Sequence, residues 1–233
     1  MVPLRDENPI TITPYITIIL IVINILVFIY ELSLSKPELD TFFRLYAVVP
    51  RELTASFEGF PVGQPVREPL TLITSQFLHA GFLHVGSNML FLWIFGNNIE
   101  EKLGGIRFLI FYLTCGALAA LAQWFFSALS VIPALGASGA IAGVMGAYII
   151  RFPNAKIMTL VPLIPQFFIF FVARIPAVFY LGFWFLQQAF NGIASLGVQA
   201  QVGMEGGGIA YWAHAGGFVF GAILGPILGL FDD

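Results

Sequence analysis

From Ile12 to Leu32 the chain consists largely of isoleucine, leucine, valine and aromatic residues. A helix needs about 20 predominantly apolar residues to cross the hydrocarbon of a bilayer, and this run supplies them. The rest of the chain agrees. Across 233 residues, 58% are hydrophobic and only 10% are charged, with a mean hydropathy of +0.90. A soluble domain carries roughly 25% charged residues, so this chain has too few to cover a water-facing surface. It reads as a multi-pass integral membrane protein. The net charge of −3, with no basic cluster, gives no sign of nucleic-acid binding. The single cysteine, Cys115, excludes an internal disulfide and reads as a packing residue. The N-terminus carries Asp6 and Glu7, and no small-residue cleavage site follows the apolar run. The run is therefore expected to be a retained first helix rather than a signal peptide.

Length and hydropathy predict six spans, at about Ile12–Leu32, Phe77–Asn97, Ile106–Leu129, Ser138–Ile150, Arg174–Phe190 and Ile209–Leu230. The fourth is short, so its outer end is expected to lie below the membrane surface. Residues 1–11 form an N-terminal segment. Residues 33–76 form a long first loop, with Pro37, Pro50, Pro61 and Pro65 in its Ser33–Arg67 part, and its TFFRLYAVVPREL stretch alternates aromatics with charges as interfacial segments do. Met158–Phe171, interrupted by Pro162 and Pro165, is expected to be a buried or interfacial loop, and Asn191–Gly208 a glycine-rich loop. Residues 1–233 read as one all-α domain. Arg5, Lys102, Arg107, Arg151, Lys156 and Arg174 fall on the N-terminal side, against Lys36, Arg44, Arg51 and Arg67 in the first loop. The positive-inside rule then puts both termini in the cytoplasm and the first loop outside. Arg174 is expected to be a helix-end residue snorkelling to the interface.

Polar groups at membrane depth are costly and mark function. His84 and Asn88 are four apart and share one face of the second helix. Ser138 opens the fourth helix, and His214 lies near the start of the sixth. Helices two, four and six run in the same direction, so all four side chains reach a similar shallow depth. Ser138 alone, among glycines and alanines, would pass for a helix-packing residue. Grouped with two imidazoles and an amide, it reads as a nucleophile. Carboxylates are read as absent from the spans. That argues against a zinc protease with an HExxH helix, an intramembrane aspartyl protease, and a proton-coupled transporter. A serine–histidine pair survives, because it needs only a hydroxyl and a base. His79 is expected to hold the first loop in place.

These motifs resemble the rhomboid family of intramembrane serine proteases. GASG (Gly136–Gly139) is similar to the family's GxSG nucleophile motif. AHAGGFVFG (Ala213–Gly221) resembles its last-helix motif, in which the base is followed by GxxxG, here Gly217 and Gly221. HAGFLHVGSN (His79–Asn88) resembles its second-helix motif. Two features depart from the pattern. Leu70-Thr71 stands where many members have Trp-Arg, and Ala142 stands where many have a tyrosine stacked on the catalytic imidazole. A neighbouring aromatic such as Tyr211 or Trp212 is therefore expected to orient His214.

The resemblance implies a six-helix rhomboid-like bundle with a long interfacial first loop. It implies a serine endopeptidase that cuts transmembrane segments near their outer ends. Ser138 would be the nucleophile, His214 the base, and His84 and Asn88 oxyanion donors. Gly136, Gly139, Gly217 and Gly221 would allow close helix packing. No metal or organic cofactor is implied, and the partners are membrane-protein substrates and the lipid bilayer. The bacterial inner membrane is the expected location. The alternative is a catalytically silent relative that binds and retains transmembrane segments.

Overall fold

The computed structural model describes residues 1–61, 63–164, 169–196 and 210–232. The first helix, α1 (Tyr15–Ser33), follows Pro14 and has no side-chain cap of its own. Its leading N–H groups find a partner elsewhere. The Glu100 carboxylate accepts from the Ile16 N–H at 2.8 Å and from the Thr17 N–H at 2.7 Å. A buried carboxylate therefore caps a helix distant in sequence, using the attraction of negative charge to a helix N-terminus. Thr17, Leu20, Asn24, Phe28 and Glu31 form the buried face of α1 at helical spacing. Ile19, Val22, Leu26 and Ile29 remain exposed on the other side, as a lipid-facing surface requires. Replacing Glu100 by alanine would leave two N–H groups without their acceptor, at a cost of about 2 kcal/mol. The expected result is a lower unfolding midpoint in detergent, with Glu100→Gln losing less because it keeps one acceptor.

The first loop is largely helical, with α2 (Lys36–Tyr46), α3 (Pro50–Phe57) and α4 (Glu68–Thr74). After a short 3₁₀ turn at Ser75–Phe77, the chain bends sharply and enters α5 (Phe82–Phe91). A π-helical turn, Leu92–Gly96, leads into α6 (Asn97–Leu103). The arms Glu68–Phe77 and Phe82–Leu103 meet at 83°. The second apolar segment thus starts later and runs further than Phe77–Asn97. Next come α7 (Gly105–Ser127), α8 (Ser138–Arg151), α9 (Ala177–Ser195) and α10 (Tyr211–Ile227). Among the described residues, α1 and α7 are each long and apolar enough to cross a membrane, and the bent α4–α6 segment makes a third.

The all-α expectation needs correction. Val2–Asp6 (β1), Lys156–Ile164 (β2) and Ile169–Pro176 (β3) form an antiparallel sheet in the order β1-β2-β3. The loop expected over Met158–Phe171 is mostly a hairpin. Pro162 disfavours a continuous helix there, and the β-branched and aromatic residues flanking it favour extended backbone. The fifth helix begins at Ala177, directly after Pro176, and not at Arg174. Arg174 is no helix-end anchor. It lies in β3 and pairs with Glu7 at 3.0 Å. The sheet also pins the N-terminal segment: Asp6 accepts from the Tyr148 hydroxyl at 2.6 Å and from the Asn98 amide at 2.9 Å. Burial pushes the Asp6 carboxyl above its usual range, and these hydrogen bonds oppose that shift. Most of the expected glycine-rich loop, with Glu205, lies outside the described residues, as does Ile209.

A second correction concerns Glu31. It falls within the first span's own limits, in the last turn of α1, and is only 3% exposed. Its carboxylate accepts from the His79 N–H at 3.2 Å.

The core centres on α8, which is buried from Gly139 through Tyr148. Helix α10 packs along one side of it and α7 along another. The contact with α10 is a seam of glycines. A Cβ on Gly217 would overlap the Gly139 carbonyl, one on Gly221 the Gly143 carbonyl, and one on Gly146 the Phe218 carbonyl. Small residues bring backbones together in this way inside membranes. On the α7 side, Cys115 packs against Gly143, in keeping with its expected packing role.

Candidate active site

The segment before α8 sets the position of Ser138. Gly136 has φ +124°, a conformation that L side chains rarely adopt. A Cβ there would also lie 2.7 Å from His84 Nε2, so glycine is required twice over. The Gly136 N–H donates to the Ser75 carbonyl at 2.8 Å, holding the turn against the 3₁₀ turn that follows α4. Ser138 is then the first residue of α8, at the partly positive end of the helix dipole.

His214 is in the first turn of α10, and the glycine seam brings it to α8. Its Nε2 lies 2.8 Å from Ser138 Oγ. Its Nδ1 lies 2.8 Å from Gln188 Oε1 on α9. An amide oxygen can only accept, so Nδ1 carries the proton and Nε2 is free to accept from the serine hydroxyl. The Trp184 ring, one turn before Gln188 on the same helix, lies 5.7 Å from the imidazole, tilted by 36°. Neither aromatic expected to orient His214 does so. Trp212 stacks on Phe126 instead, at 3.8 Å and 16°, and Tyr211 makes no ring contact with the imidazole among the described residues.

His84 and Asn88 lie one turn apart on α5 and face the same space. His84 Nδ1 accepts weakly from the Ala80 N–H at 3.4 Å. Asn88 is buried, and its amide nitrogen has no hydrogen-bond partner among the described residues. An unpaired buried donor costs about 1–3 kcal/mol. Such a donor is suited to an acceptor that arrives with a substrate. His79 is buried behind His84, their rings edge to face at 5.0 Å.

Ser138, His214, His84 and Asn88 line one cavity of about 1370 Å³, with Trp184 and Arg44 also on its wall. Typical small-molecule pockets run to about 1,000 Å³, so there is room for an extended stretch of peptide. The four side chains singled out in the sequence are thus gathered at one place. Gln188 and Trp184 were missed. Their signal was present in FWFLQQAF, where a polar side chain stands four residues after a tryptophan in an otherwise apolar helix.

The family model of the rhomboid domain matches residues 66–231. The chain belongs to the rhomboid family. Like the family, this rhomboid is an integral membrane protein. It is 32% identical to the mitochondrial Rhomboid protein 1 of Saccharomyces cerevisiae over 164 residues, 69% of this chain and 42% of that protein. It is 42% identical to Rhomboid protease GluP of Bacillus subtilis over 76 residues, 33% of this chain and 14% of that protein. It is 35% identical to the mitochondrial Presenilin-associated rhomboid-like protein A of Danio rerio over 98 residues, 41% of this chain and 26% of that protein. The matched part is less than half the length of each of these relatives. Two of the three carry mitochondrial names, so the expected bacterial inner membrane is not supported by these similarities.

Proposed function

We propose that this rhomboid is an intramembrane serine endopeptidase that cuts transmembrane segments of other membrane proteins near their outer ends. The observation that carries the proposal is the 2.8 Å contact between His214 Nε2 and Ser138 Oγ, with Nδ1 engaged at the same time by an acceptor. A nucleophile within hydrogen-bond reach of a base whose other side is held by a third group is the arrangement acyl transfer requires. His214 takes the Ser138 proton as Oγ attacks the scissile carbonyl. The carbonyl oxygen becomes an oxyanion, stabilised by the Asn88 amide, by His84 and by the N–H at the start of α8. His214 then protonates the departing amine, and water releases the acyl group by the same steps. No metal or organic cofactor takes part.

On this reading the six spans are α1, the bent segment through α5 and α6, α7, α8, α9 and α10, with both termini cytoplasmic. The sheet then lies on the cytoplasmic side with Arg5, Lys156 and Arg174, consistent with the positive-inside rule. With 14 residues, α8 is about 21 Å long at 1.5 Å per residue, shorter than the about 30 Å hydrocarbon core. Ser138 would sit below the outer surface, within reach of water through the cavity. A substrate helix must unwind there to expose its carbonyl.

The test is labelling of detergent-purified protein with a fluorophosphonate probe, beside cleavage of a transmembrane reporter in liposomes. Wild type should label and cleave. Folded wild type that does neither would leave a protein that binds transmembrane segments without cutting them. Asn88→Ala should lower kcat about 10²–10³-fold while labelling still goes to completion, because the nucleophile is intact. Equal cleavage rates would remove Asn88 from the oxyanion site.

A further inference from the structure

We infer that Gln188 is the positioning residue of His214, setting its tautomer and ring orientation through a neutral amide. This inference rests on the protease reading above. The groups that meet the His214 ring come from α9 and not from the nucleophile's own helix. On α8 stands Ala142, which is fully buried and carries no ring. Helix α9 supplies two groups instead, one turn apart: Trp184 beside the imidazole face and Gln188 at its outer nitrogen.

The chemistry follows from the sense of the amide. With Oε1 toward the ring, Nδ1 keeps its proton and Nε2 presents a lone pair to Ser138. With the amide turned round, its NH₂ would donate to Nδ1, the proton would move to Nε2, and the imidazole could not accept from the serine. One rotamer of Gln188 therefore permits base catalysis and the other forbids it. No hydrogen bond or ion pair joins His214 to a carboxylate among the described residues, so the amide is the group that decides the tautomer. A carboxylate in its place would add charge stabilisation of the imidazolium. The amide gives direction alone, without placing an unpaired anion at membrane depth, where ionised groups are expensive.

The experiment compares Gln188→Met and Gln188→Glu with wild type. It measures fluorophosphonate labelling rate, reporter cleavage as kcat and KM across pH, and the unfolding midpoint in detergent. Methionine is of similar length and cannot accept the Nδ1–H bond. Gln188→Met should lower kcat and the labelling rate about 10²-fold, the scale of a small misplacement of a reacting group, with KM little changed. Gln188→Glu restores the acceptor and adds charge. It should recover most of the labelling rate and move the acid limb of the pH profile to higher pH, because a neighbouring anion favours the imidazolium. A packing role would leave the acid limb where it is. Gln188→Met labelling at the wild-type rate, or Gln188→Glu with an unmoved acid limb, overturns the inference while the protease reading stands. Folded wild type that does not label overturns both. If Gln188→Met does not fold, the acid limb of Gln188→Glu decides.

Discussion

Ser138→Ala is expected to abolish fluorophosphonate labelling and to lower reporter cleavage by about 10⁴–10⁶-fold. His214→Ala should fall to about the same level. The more informative result is the double variant, which should be no slower than either single one. A base without its nucleophile has nothing to activate. A serine hydroxyl without its base is a weak nucleophile. Once either is gone the other contributes nothing, and the residual rate comes from peptide binding and the oxyanion donors. If the two losses multiplied, the groups would be acting separately, and the 2.8 Å contact would not be the working element. The check is kcat for all four proteins in liposomes, with unfolding midpoints to show that each is folded.

Gly221→Val is expected to damage the fold as much as Ser138→Ala damages the chemistry. A Cβ on Gly221 would overlap the carbonyl carbon, oxygen and Cα of Gly143. These are backbone atoms in the middle of a helix and cannot swing aside. Relief requires α8 and α10 to move apart, and overpacking of this kind costs about 1–3 kcal/mol or more. The same movement would lengthen the contact between Ser138 and His214, which has no slack. The measured result should be a lower unfolding midpoint together with a loss of labelling. Gly182→Ala on α9 is the control, because a Cβ there meets nothing within 4 Å. If Gly221→Val matched that control in both measurements, the seam would not be what sets the distance.

Much of this architecture was legible in the residues. The start of α8 at Ser138 and the gathering of Ser138, His214, His84 and Asn88 around one space followed from polar groups at matching depths on parallel helices. The close approach of α8 and α10 followed from Gly217 and Gly221. What escaped has physical reasons. The stretch around Pro162 is apolar without a clear period, and such a run does not distinguish strand from buried loop. Its pairing with Val2–Asp6 joins segments more than 150 residues apart, and local pattern carries no trace of it. Glu31 was legible, since it stands within Ile12–Leu32 in the sequence; only its partner, the His79 N–H, is brought to it by the fold. Gln188 stands 26 residues before His214, and only the packing of the two helices brings them together. The group that meets the ring comes from a different helix and is an amide.

The sheet also bears on the order of assembly. Val2 pairs with Leu160, and Asp6 with Ile157. Residues 2–6 therefore find their partners only after residues 157–160 have been made. The N–H groups at the start of α1 lack their acceptor until Glu100 has followed, and the sheet is absent until residues 157–160 have followed. Those groups need water in the meantime, since hydrocarbon offers no substitute. A probe on residues 2–6 would report the closure of β1 onto β2.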